Sequence, residues 1–133
     1  MAAAEIPELV EALALLTALA DNEEVKADAA RRQRLTQLQV AYGNALFQAR
    51  GYSVPETTQT FARAREEAQG EKDAPQRLAA DYGLWVGSFV RGELSPMRAH
   101  AETFLSDVEA RPDSPEAGVA HRITGATRWF AGE

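Results

Sequence analysis

The chain has 133 residues, 45% of them apolar and 26% charged, with a net charge of −6 at neutral pH. This is one domain's length with an ordinary soluble composition, and the acidic balance argues against nucleic acid as the main partner, since phosphate contacts need a basic surface. There is no cysteine, which excludes disulfides, thiolate metal sites and a cysteine nucleophile. No apolar run is long enough to span a bilayer. The opening MAAAEIPELVEALALLTAL lacks a basic leader and carries Glu5, Glu8 and Glu11, so the sequence reads as cytoplasmic rather than secreted.

Taken in order, Ile6, Leu9, Leu13, Leu16 and Ala20 recur at helical spacing and predict an amphipathic helix over about residues 7–20. Asp21 with Glu24 forms a reciprocal cap for a second helix, running to about Arg50 with Leu35, Leu38, Tyr42, Ala45, Leu46 and Ala49 on its stripe. Gly51 ends it. Ser53-Val54-Pro55-Glu56 opens a third helix, with Phe61, Ala64 and Ala68 on one side and Gly70 at its end. Asp73 with Gln76 opens a fourth, whose stripe is Leu78, Tyr82, Trp85 and Phe89. Ser95-Pro96 starts a fifth, with Met97, Ala101, Phe104, Leu105 and Val108 inward. Asp113 with Glu116 starts a sixth, with Val119, Ile123, Ala126 and Phe130 as its stripe.

The fourth helix is echoed forty residues on: Asp73 matches Asp113, Pro75 matches Pro115, Ala80 matches Ala120, Phe89 matches Trp129, Gly92 matches Gly132 and Glu93 matches Glu133. A fixed period of this size is the mark of a helix–turn–helix stack. Strand signals are missing. The expectation is all-α: a single segment, 1–133, built as a repeat superhelix of antiparallel helix pairs. A closed helical bundle holding a small ligand or an active site is the alternative that the same stripes allow. The last copy stops at Gly132-Glu133, where its second helix would begin, so the segment reads as part of a longer protein.

The segments EALALLTAL, LTQLQVAYGNALFQARGYSVPETTQTFARARE, DAPQRLAADYGLWVGSFVRGEL and AHRITGATRWFAGE resemble the tetratricopeptide-like C-terminal region of bacterial adenylate/guanylate cyclase-type signalling proteins. In that family a cyclase domain and a nucleotide-binding ATPase module precede helical repeats. The resemblance runs from about Leu9 to the end and is most specific at Gly51-Tyr52 before Pro55-Glu56 and from Tyr82-Gly83-Leu84-Trp85 to Arg91-Gly92-Glu93-Leu94. The period of 40 departs from the 34 of a standard tetratricopeptide, and Trp85, Pro96 and Met97 stand where small residues are usual. The resemblance implies a non-catalytic scaffold for protein–protein interaction or regulatory coupling. A sensor tail of an ATP-dependent transcription regulator would share the architecture.

Chemistry is sparse. There is no phosphate loop, no dinucleotide fingerprint, no HExxH and no acidic calcium loop. His100 and His121 lie on different helices without clustered partners, so neither a metal nor any other cofactor is expected. Glu23-Glu24 and Glu66-Glu67 are adjacent pairs that point apart on a helix and read as solvated charge. What remains is surface recognition of a protein, a peptide or other domains of the parent chain, with no role for a membrane. On a tetratricopeptide register the inner, binding face carries Asn44, Gln48, Tyr82, Phe89, Arg122 and Trp129. Trp85 and Phe130 are expected to pack between helices. The unpartnered final helix predicts a homodimer in which the edge formed by Val119, Ile123, Trp129 and Phe130 covers its own copy.

Overall fold

The computed structural model describes residues 7–20, 29–70 and 73–133. Among them are six helices and no strand: α1 Pro7–Ala20, α2 Ala29–Arg50, α3 Pro55–Glu67, α4 Ala74–Arg91, α5 Leu94–Glu109 and α6 Ala117–Phe130. The Asp21–Glu24 cap and Ile6 lie outside the described residues. Each helix packs on its successor, and α2 also meets α4. None of these helices is long and apolar enough to cross a membrane.

The ends of α2, α4 and α6 are set by backbone stereochemistry. Gly51, Gly92 and Gly132 have φ of +86°, +70° and +79°, the left-handed region that a side chain disfavours. After α4 the Gly92 N–H donates to the Phe89 carbonyl at 3.1 Å and the Glu93 N–H to that of Ser88 at 2.9 Å. After α6 the Gly132 N–H donates to the Trp129 carbonyl at 3.1 Å and the Glu133 N–H to that of Arg128 at 2.9 Å. The same two bonds close both helices, as the forty-residue echo predicts. Gly51 uses the simpler variant, one bond to the Phe47 carbonyl at 2.7 Å.

The N-terminal ends correct the sequence reading. Asp73 stands at the N-cap of α4, but its carboxylate turns back to accept from the Gly70 N–H at 3.1 Å and caps nothing. Asp113 is consumed in a turn closed by the Ser114 N–H on the Arg111 carbonyl at 2.9 Å, with Pro112 fixing its first corner. Helix α6 therefore starts at Ala117, where Ser114 Oγ accepts from the Glu116 N–H at 3.3 Å and itself donates to the Glu116 carboxylate. Ser53 does not cap α3 either: Val54 holds that position, and Thr57 Oγ1 ties the helix to the Gly51 carbonyl at 3.0 Å. Ser95 lies inside α5, which begins at Leu94 behind Glu93 because the turn after Gly92 already delivers the chain in register.

Helix α4 is covered on two sides. Leu78 and Trp85 join Met97, Ala101, Phe104 and Val108 of α5 and Ala120 and Ile123 of α6 in one buried cluster. Ala80 and Leu84 join Phe61 and Ala64 of α3 in another. Phe61 is the wedge between α2 and α4: a Cβ on Gly43 or on Gly83 would stand 2.8 Å from its ring. Both glycines are there to let the ring in.

Candidate interaction surface

The seam between the two clusters on α4 carries Asp81, which is fully buried. Arg65 of α3 reaches it, Nε lying 2.6 Å from Oδ1 as an ion pair, but neither carboxylate oxygen has a hydrogen-bond partner of good geometry. Burial pushes the Asp81 carboxyl up to about 6; the pairing with Arg65 opposes the rise, and the charge on Asp107 adds to it. Next to this pair, Arg77 grips Asp107 of α5 with Nε and Nη2 at 2.8 and 3.0 Å. Its Nη1 donates to the carbonyls of Ala68 and Gly70, each at 2.9 Å. The grip of Arg77 holds the Asp107 carboxyl below its ordinary range. Burial, with the charges of Arg65 and Arg91, holds His100 below its own. These groups stitch α3, α4 and α5 together. The ion pairs join Arg65 of α3 to Asp81 of α4 and Arg77 of α4 to Asp107 of α5.

Tyr82, Trp85 and Phe89 follow one another along α4 with ring centroids 6.1 and 5.6 Å apart. Phe89 meets Phe130 of α6 edge-on at 4.7 Å, and Phe130 meets Trp129 edge-on at 5.1 Å. Trp85 anchors the row: only 8% exposed, it donates from Nε1 to Thr127 Oγ1 at 2.9 Å, and that hydroxyl donates to the Ile123 carbonyl at 2.6 Å. The other members stay at the surface, most of all Trp129 at 74% and Phe130 at 50%. Val90 and Leu94 add exposed apolar surface at the same end of the fold, where the end of α4 turns into α5 and the Arg98–Glu133 ion pair, 2.8 Å, ties α5 to the end of α6.

The six inner-face positions read from the sequence, Asn44, Gln48, Tyr82, Phe89, Arg122 and Trp129, are all exposed. The structure joins Phe89 and Trp129 through Phe130, and Tyr82 through Trp85. Asn44 and Gln48 stand apart on α2, with no side-chain bond to the row. The self-association edge needs two corrections. Ile123 is 3% exposed and belongs to the core, so it is not available at an edge. Val119 is half-buried against the same core. Phe130, expected to pack, is half-exposed because α6 rests chiefly on α5 and one neighbour covers only part of its stripe. Val90 escaped the sequence reading because it falls outside the stripe of its helix, and Leu94 because that reading starts its helix at Ser95.

A separate cleft of about 1130 Å³ lies among α1, α2 and α3, lined by Leu13, Leu16, Leu35, Gln39, Tyr42 and Arg63 among others. Among the described residues no group of three or more His, Asp or Glu side chains is placed to hold a metal ion. No protein-family model matches the chain, and neither a curated protein nor a solved structure matches it.

Proposed function

We propose that the chain is a non-catalytic, tetratricopeptide-like helical-repeat scaffold that serves protein–protein interaction or regulatory coupling, as its resemblance to the tail of cyclase/ATPase signalling proteins implies. The observation that supports it best is the aromatic row, whose most exposed member, Trp129, is three-quarters exposed on a helix that ends with the same bonds as α4. Exposed aromatic clusters of this kind are typical of binding surfaces. Chain-order packing and the matched glycine ends of α2, α4 and α6 are what a stack of helix pairs requires.

Proximity labelling in the source cells, with the wild-type chain and a Trp129→Ser, Phe130→Ser variant in its parent context, tests the reading. A defined set of proteins should be labelled by the wild type and lost from the variant. Identical labelling by both would overturn the assignment of this face. Purified chain that turns over ATP or GTP, with the activity tracking the polypeptide, would overturn the non-catalytic reading.

A further inference from the structure

Charge is distributed by helix. Helices α2, α4 and α6 carry eight arginines and a single acidic residue, Asp81, which is fully buried. The acidic side chains of the other helices are Glu8 and Glu11 on α1, Glu56, Glu66 and Glu67 on α3, and Glu102, Asp107 and Glu109 on α5. A chain of net charge −6 thus presents alternate helices with no exposed carboxylate at all. On α6 the arginines are Arg122 and Arg128, both exposed and, among the described residues, without an ion-pair partner. They flank the aromatic row, whose nearby charges Arg91–Glu93 and Arg98–Glu133 are already neutralised in pairs.

One stripe of α6 reads Gly118, Arg122, Gly125, Trp129, all exposed and at the spacing of a single helix face. Gly125 sits in mid-helix, where glycine is a poor choice, and a Cβ there would meet nothing within 4 Å. The fold itself gives no reason for it, in contrast to Gly43 and Gly83, which admit Phe61. A bare helix backbone between an arginine and a tryptophan lets another chain approach closely. Arg122 and Trp129 are about 10 Å apart along the axis at 1.5 Å per residue.

We propose that this stripe, with Phe89 and Phe130 behind it, docks an acidic segment of another protein. Carboxylates of the segment engage Arg122 and Arg128, its backbone crosses Gly125, and a large apolar side chain lies against Trp129 and Phe130. In an extended chain rising about 3.3 Å per residue, side chains two or four residues apart face the same way, about 7 and 13 Å apart, and bracket this spacing. The proposal rests on the scaffold reading above and adds the partner's chemistry.

The test is selection of a random peptide library on the full chain, followed by fluorescence titration of the retained peptides. The enriched peptides should carry Asp or Glu near one aromatic or aliphatic residue, and their binding should weaken with salt and shift the emission of the exposed Trp129 to the blue. Arg122→Glu with Arg128→Glu should weaken them by about tenfold or more. Gly125→Gln should weaken them while raising the urea midpoint, a pair of opposite signs that misfolding cannot produce. Enrichment of neutral or basic peptides on the same face would overturn the acidic partner and leave the scaffold standing. Acidic peptides indifferent to both variants would overturn the site. No retained peptide would remove the scaffold reading as well. A wild-type dimer in sedimentation that Trp129→Ser abolishes would show that a second copy is the occupant and overturn the proposal.

Discussion

Replacing Phe61 by alanine should cost about 3–5 kcal/mol, a large part of the stability of a domain this size. The ring is 1% exposed and fills the space between α2, α3 and α4, so its removal leaves a cavity that three helices must close upon. The wedge also makes a sharper test. Gly83→Ala puts a methyl group 2.8 Å from the ring, in a helix where alanine is otherwise favoured by about 1 kcal/mol. Overpacking should win, with a net loss of about 1–3 kcal/mol. In a Phe61→Leu background, where the ring is gone, the same Gly83→Ala change should cost far less or stabilise. Urea midpoints of the four proteins give the coupling. Additive losses would mean that the ring and Gly83 do not share the space.

The second large effect is a pH dependence that one atom can remove. The Asp81 carboxyl, ordinarily near 3.8, is pushed up to about 6 in the fold. Between those values the native chain holds a proton that the unfolded chain has released, so this group stabilises the fold at low pH and loses that contribution as pH rises through 6. The full swing is roughly 3 kcal/mol between pH 4 and pH 7.5. Two neighbours act differently. Asp107, held low by Arg77, contributes stability above its ordinary value and loses it only at more acidic pH. His100, also held low, contributes stability above its ordinary 6.5 and loses it as pH falls, partly masking Asp81 in the wild type. Asp81→Asn isolates the group: its stability relative to wild type should improve by roughly 3 kcal/mol from pH 4 to pH 7.5. Arg65, one-third exposed, can turn to water when its partner is neutral. An equal loss at both pH values would mean that Arg65 keeps Asp81 charged throughout.

The parts of the fold legible in the sequence are those that depend on the backbone or on apolar spacing alone. Gly51 ends its helix as the sequence reading expects, because φ is a local property. Phe61, Ala64, Ala68, Met97, Ala101, Phe104 and Val108 are buried where helical spacing puts them. The N-terminal caps failed for a shared reason: a carboxylate or hydroxyl near a helix start has several backbone donors within reach. At Asp73 the Gly70 N–H won, and at Asp113 the Pro112 turn intervened. Asp81 was invisible for a different reason. Its burial depends on Arg65, sixteen positions away on another helix, which no periodicity reports. At the candidate surface the exposure of Phe130 follows from how few helices cover α6, a tertiary fact that its apolar stripe does not contain.

At Gly51, Gly92 and Gly132 the backbone already has the handedness natural to a D-amino acid. For the mirror-image residue the left-handed region is the ordinary helical one, and the clash that penalises L-alanine there disappears. D-alanine would narrow the unfolded ensemble at each site without straining the folded one, the same logic by which a well-placed proline stabilises. The endings of α2, α4 and α6 are therefore three places where achirality, rather than small size, is the property of glycine that the fold uses. Gly43 and Gly83 are the reverse case, where only the absence of bulk counts.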